Sequence, residues 1–321
     1  MTGVHGRYQF GFWPRLDGLE AFRDSSFILS PADRASEVVQ EVLNDPQING
    51  NWFEPPLEER GTGLLVPTPR FELPSTHVLE TPGRAHDDQL GEFLVLVLGF
   101  TLGMRFTIEG TGHLARAAVR ERTLVNFLAT RREVLHVLAK ALAFWDGHGP
   151  EARRFAFGTI HWHLSAQSHE AQHEQFAWAY TVMDGLHRLA CLSSPSYAAA
   201  ATRTTKKGKT MEISHSARAL AMAKEFGIPL PPSFAGAGTA PSPVAALVTA
   251  RNELIHEARW DGAPIGYAVS QDGYDLVLDL QHFCSQVILR LLGVECEFCQ
   301  HTFHRQLQGL DVIGLAQTPP P

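Results

Sequence analysis

The chain has 321 residues, 44% hydrophobic and 19% charged, which allows two domains or one large one with an ample core. A net charge of −7 excludes a protein that coats nucleic acid by bulk attraction, so any RNA contact has to come from a local basic patch. The longest apolar run, Phe93 to Met104, is too short to span a bilayer, so no membrane partner is expected. In the first 75 residues, Tyr8-Gln-Phe10-Gly-Phe12-Trp13 and Gly63-Leu-Leu-Val66 read as strands. Ser30 as N-cap and Pro31 in the first position predict a helix to about Leu43, stopped by Asn44-Asp45-Pro46. Asn51-Trp-Phe-Glu-Pro-Pro reads as loop. Leu90 to Leu102 is a buried helix or strand, broken by Gly103, and Arg105-Phe-Thr-Ile-Glu109 is a short strand before the Gly110-Thr-Gly112 turn. From about Leu114 the pattern turns helical, with Leu124, Phe127, Leu128, Val134, Leu135, Val137 and Leu138 at helical spacing up to Trp145. Asp146-Gly147-His-Gly149-Pro150 breaks the chain and places a domain boundary there.

From Phe155 onwards the pattern is all-helical. An aromatic-rich helix over about 170–191 carries the stripe Phe176, Tyr180, Met183, Leu186 and Leu189, with Asp184 beside it. Residues 192–210 read as a linker of small and basic residues, including Arg203, Lys206, Lys207 and Lys209. A short helix, Ile213 to Phe226, closes on Gly227-Ile-Pro229, and a Pro/Gly/Ala loop runs to Pro243. A helix over Val244 to Ala258 follows. Trp260-Asp-Gly-Ala-Pro264 and Ser270-Gln-Asp-Gly-Tyr274 are turns, and Leu276 to Leu292 is a last amphipathic helix. Thr318-Pro-Pro-Pro321 reads as a disordered tail.

The helix over Val244 to Ala258 carries the chemistry. At about 100° per residue, Val244, Leu247, Val248, Leu254 and Ile255 share an apolar face with Arg251 in its middle. Asn252 and His256 are four apart and stack on its flank. A guanidinium on a buried stripe is costly unless paired, so Arg251 belongs either to an ion pair, with Asp184 or Glu253, or to an active site. Metal-free RNA cleavage needs a base for the ribose 2′-hydroxyl and a cation for the phosphate, and His and Arg suit those tasks.

Arg251-Asn252-x3-His256, late in a run of helices, resembles the R-x4-H signature of the HEPN superfamily. The order of elements over roughly 150–300 is similar to its ApeA-like subgroup. The resemblance implies an endoribonuclease in which His256 is the general base, or the acid for the leaving 5′-oxygen. Arg251 would bind the scissile phosphate, Asn252 would orient His256 or the phosphate, and Asp184 would steady the arginine. The product would be a 2′,3′-cyclic phosphate. The resemblance also implies a homodimer through the motif helix, and a bacterial defence or toxin setting with a trigger or regulatory partner acting on the N-terminal domain. Lys206, Lys207 and Lys209 are the candidate path for RNA.

Other clusters have ligand chemistry. Cys296-x2-Cys299-x-His301-x2-His304 has zinc-ligand residue types, but the single residue between Cys299 and His301 is tight for one ion. His161, His163, His169 and His173 form a second cluster, in which His169 and His173 share a helical face. No cofactor is expected, with zinc as the alternative. Four cysteines without a paired framework, and a start without an apolar signal core, imply a reducing, cytoplasmic setting. The expected fold is mainly α, α+β overall. A mixed α/β domain of sensing or regulatory role over 1–149 precedes a four- to five-helix HEPN-like bundle over 150–305 and a tail over 306–321. The alternatives to a ribonuclease are a non-catalytic HEPN dimerisation or RNA-binding module and a zinc-binding protein.

Overall fold

The computed structural model describes residues 5–54, 72–108, 116–124, 131–204, 210–236, 242–266 and 270–301. The fold is α+β with helix predominating. The chain divides into two compact units, Met1–Ala143 and Phe144–Pro321. The expected strand at Gly63–Val66, the Gly110–Gly112 turn, Lys206, Lys207, Lys209, His304 and the 306–321 tail lie outside the described residues.

The first unit opens with β1 (His5–Gly11), which alternates exposed and buried side chains as a half-buried strand must. β2 (Ile28–Pro31) leads to α1 (Ala35–Leu43), then the two-residue strands β3 (Ile48–Asn49) and β4 (Trp52–Phe53), and β5 (His77–Pro82). α2 (Asp88–Leu102) follows, then β6 (Thr107–Ile108), β7 (Ala117–Ala118) and α3 (Arg131–Gly147), whose last turn already belongs to the second unit. The main sheet is antiparallel in the order β2-β5-β1-β6, and α2 packs on β1 and β6. α2 is apolar around its whole circumference and is buried accordingly. The Asp87 side chain caps its start by accepting from the backbone N–H of Gln89 and Leu90, and Gly103 ends it at a φ of 66°. A second core gathers Phe12, Val39, Val42, Phe53, Leu73, Ala117 and Val119.

Three expectations fail in this unit. Ser30 and Pro31 do not open a helix: they pair with Val78 and His77 at the end of edge strand β2, where the missing N–H of proline costs the sheet nothing. α1 starts four residues later. Trp52 and Phe53 are not loop but the middle strand of the sheet β3-β4-β7, reached through a turn with Gly50 at a φ of 61°. Helix does not run on continuously from about Leu114, because Ala117 and Ala118 are strand, while Leu114, Phe127 and Leu128 lie outside the described residues.

The second unit contains α4 (Pro150–Ala166), α5 (Gln172–Ser193), α6 (Pro195–Ala200), the hairpin β8 (Thr202–Thr204) and β9 (Thr210–Glu212), and α7 (His215–Phe226). α8 (Ala245–Glu257), the hairpin β10 (Arg259–Trp260) and β11 (Ala263–Pro264), and α9 (Gln271–Leu291) complete it. α5 is the hub: it packs against α4, α6, α7, α8 and α9. Its buried Phe176, Met183 and Leu186 share a core with Leu280, Phe283 and Val287 of α9. Gly185 lets α4 approach, since a Cβ there would lie 3.0 Å from Thr159 Oγ1. Trp162 of α4 lies on Trp178 of α5 with ring centroids 4.3 Å apart and planes 15° apart. His163 Nε2 reaches Ser285 Oγ of α9 at 2.8 Å. Among the described residues no helix is long and apolar enough to cross a membrane.

The described part of the expected linker, 192–204, carries regular structure, the helix α6 and strand β8. Tyr197 is buried, and its hydroxyl lies 2.7 Å from His187 Nδ1, which anchors α6 to α5 despite the run of alanines. His169 and His173 do not share a helical face, because α4 ends at Ala166 and α5 begins at Gln172.

Candidate active site

α8 starts behind Ser242-Pro243 and ends at Ala258, whose φ of 50° stops the helix one residue after Glu257. Val244 and Leu247 are buried and hold the helix in the unit, while Val248 and Leu254 are half-buried. Ile255 departs from the expected apolar face: it is 57% exposed. Its place near the free end of a short helix carries it past the residues that cover Val244 and Leu247.

Arg251 is half-buried. Its Nη1 donates to Asn252 Oδ1 at 3.1 Å and lies 3.0 Å from His256 Nε2. A guanidinium has only donors, so His256 Nε2 accepts and its ring proton sits on Nδ1. Arg251 Nε is buried without an acceptor among the described residues. Nor does any described carboxylate pair with this guanidinium: Asp184 is taken by other partners, and Glu253 Oε2 accepts from the Gly262 backbone N–H at 3.2 Å. Arg251, Asn252 and His256 are therefore brought together as expected on one helix, with Asn252 turned to the arginine rather than to His256.

Asp184 is elsewhere engaged. Arg218 Nη1 donates to its Oδ1 at 2.7 Å, and His215 Nδ1 lies 3.1 Å from Oδ2. Arg218 Nη2 also reaches Glu212 Oε2 at 3.5 Å. The expected role of Asp184 as the partner of Arg251 is thus replaced by a cluster on α5 and α7 that sequence reasoning missed. The available signal was His215-x2-Arg218, which places both residues on one face of the first turn of α7. Tyr180 feels the charges of both groups. Burial first, then Asp184, push its phenol up to about 12, with Arg251 and Arg218 opposing.

The other flank of α8 borders a cleft of about 400 Å³ lined by Glu253, Asp261, Asp272, Asp275 and the edge of Trp260. One side of the motif helix is anionic and the other carries the guanidinium.

The remaining candidates do not converge. Cys296 and Cys299 have their sulfurs 3.5 Å apart and buried, but His301 Nε2 faces Glu297 Oε1 at 3.5 Å. His163 is buried against Ser285, His161 stacks on Phe157, and His169 stacks on Trp178. Among the described residues no three His, Cys, Asp or Glu side chains are grouped to hold a metal ion. The four cysteines Cys191, Cys284, Cys296 and Cys299 are free thiols. No family model, no curated protein and no solved structure matches the chain.

Proposed function

We propose that the chain is a metal-independent endoribonuclease of the HEPN type, active as a homodimer through α8, that leaves a 2′,3′-cyclic phosphate. The observation that carries this is a half-buried guanidinium with no carboxylate partner among the described residues and a histidine nitrogen 3.0 Å from it. A phosphate oxygen satisfies such a guanidinium better than Asn252 and His256 do, because the contact then joins opposite charges. When Arg251 turns to the phosphate, the Nε2 lone pair of His256 is released beside the ribose. It removes the 2′-hydroxyl proton, the 2′-oxygen attacks phosphorus, and the 5′-oxygen departs. Arg251 stabilises the extra charge on the phosphoryl oxygens. Asn252 aims the guanidinium. By the resemblance, the protein serves in defence or as a toxin, and the first unit senses a trigger.

The test is cleavage of RNA by the purified protein in EDTA, beside His256→Ala, with end-group analysis of the products. Cyclic-phosphate ends from the wild type and a rate lowered by about 10²–10⁴ in the variant are expected for loss of a proton-transfer group. Equal cutting by both proteins would remove His256 from the mechanism. Intact RNA in both would leave a non-catalytic module.

A further inference from the structure

Resting on the ribonuclease reading, we infer that His215 is a second catalytic histidine, the acid that protonates the departing 5′-oxygen, and that Asp184 is its positioning residue. In-line cleavage moves two protons in opposite directions. One leaves the 2′-hydroxyl as the bond from the 2′-oxygen to phosphorus forms. The other must reach the 5′-oxygen as its bond to phosphorus breaks, because an alkoxide is a poor leaving group. A single histidine carries both only in sequence, whereas two can act together.

His256 and His215 are held in complementary ways. His256 Nε2 faces a donor, Arg251 Nη1 at 3.0 Å, which selects the form with a bare Nε2 lone pair. His215 Nδ1 faces an acceptor, Asp184 Oδ2 at 3.1 Å, while Arg218 Nη1, 3.2 Å from the same ring nitrogen, makes its shorter contact by donating to Asp184 Oδ1 at 2.7 Å. Its Nε2 has no partner among the described residues, and the side chain is half-exposed at the start of α7. A carboxylate behind one ring nitrogen fixes the ring plane and directs the other nitrogen outward. When both nitrogens carry protons, Asp184 balances the charge while the outward N–H is given up.

The two histidines serve one stretch of α5. Tyr180 and Asp184 are one turn apart on that helix and so lie on the same face. α7 and α8 both pack on α5 and on each other. Tyr180 lies within electrostatic reach of Asp184, Arg251 and Arg218, in keeping with the packing of α7 and α8 on this part of the unit. The other groups close to His215 are His187 of α5, Glu212 of β9 and Arg218 of its own helix. Arg218, bound to two carboxylates, holds Asp184 in place rather than offering a phosphate site. In the balanced step, His256 takes the 2′ proton and His215 gives its own to the 5′-oxygen. Exchange with water then resets both.

The test pairs two substrates: an RNA dinucleotide, and the same dinucleotide with sulfur replacing the bridging 5′-oxygen. A thiolate leaves without a proton, so the second substrate needs a base but no acid. The enzyme is the full chain in EDTA. His215→Ala should lose about 10²–10³-fold on the ordinary linkage and stay within about tenfold of wild type on the sulfur linkage. Asp184→Asn should follow the same pattern more weakly, and His256→Ala should be slow on both. Activity on the sulfur linkage also shows that His215→Ala and Asp184→Asn are folded. Equal loss on both substrates, or no loss on either, overturns the role of His215 and leaves the ribonuclease reading standing. A wild type that cuts neither substrate overturns both.

Discussion

A guanidinium half-withdrawn from water needs acceptors, and at Arg251 the described residues supply only neutral ones, Asn252 Oδ1 and His256 Nε2. Replacing Arg251 with lysine keeps the charge and removes the fork that grips two phosphate oxygens. Arg251→Lys is therefore expected to cut RNA about 10²-fold more slowly, close to Arg251→Ala, in the range for loss of a transition-state donor. Steady-state kinetics on both variants measure this, and wild-type rates in Arg251→Lys would mean that charge alone suffices. Other buried histidines have a structural role that protonation would upset. Burial lowers His77 to about 4 and His282 to about 4, each opposed by a hydrogen bond to a backbone carbonyl, and lowers His163 to about 3. Unfolded histidines bind protons near pH 6.5. Between about pH 6.5 and 4 the unfolded chain therefore holds more protons than the folded one, and stability falls as pH drops. Stability should decline from about pH 6.5 to 4, by up to about 1.4 kcal/mol per pH unit for each such group, and the melting temperature with it. A flat profile down to pH 5 would contradict the burial of these rings.

At the level of elements, α5 decides whether the site exists, since α7 and α8 bring their residues to it. Its close approach to α4 at Gly185 is therefore a sensitive point. Gly185→Leu would drive a side chain into Thr159 and is expected to cost about 1–3 kcal/mol, the range for overpacking. Thr159→Ala in the same chain should return part of that loss in thermal or urea melts, whereas simple additivity would argue against the contact. How far the sequence revealed these elements followed the range of the interactions. Arg251, Asn252 and His256 lie on one helix, so spacing alone put them together. The partner of Asp184 was not legible, because Arg218 is 34 residues away and the choice between it and Arg251 depends on how α7 and α8 seat against α5. Ser30-Pro31 has the local chemistry of a helix start, yet pairing with β5 prevails. Trp52-Phe53 is too short a strand to show alternation. The alanine run hid α6, which a single buried tyrosine secures.

For the whole molecule, a net charge of −7 means that the RNA of the proposed reaction has to be admitted locally. The carboxylates lining the cleft on one flank of α8 repel phosphate, so in the proposed reaction a strand is directed to the flank with Arg251. The same helix exposes Ile255, 57% open to solvent and next to His256. In the proposed homodimer that side chain is covered by a second copy. Ile255→Asp should shift the protein from dimer to monomer in sedimentation velocity and lower RNA cleavage with it. A monomeric wild type, or a variant that remains dimeric, would place the assembly surface elsewhere.

The stacked pair Trp162 and Trp178 gives the helical unit an optical signature. Two indoles stacked 4.3 Å apart in nearly parallel planes couple their electronic transitions. They should produce a paired positive and negative band in circular dichroism that neither ring gives alone. One ring belongs to α4 and the other to α5, so the band lasts only while the two helices are joined. The seam between α4 and α5 thus carries its own spectroscopic reporter, readable in the unlabelled protein.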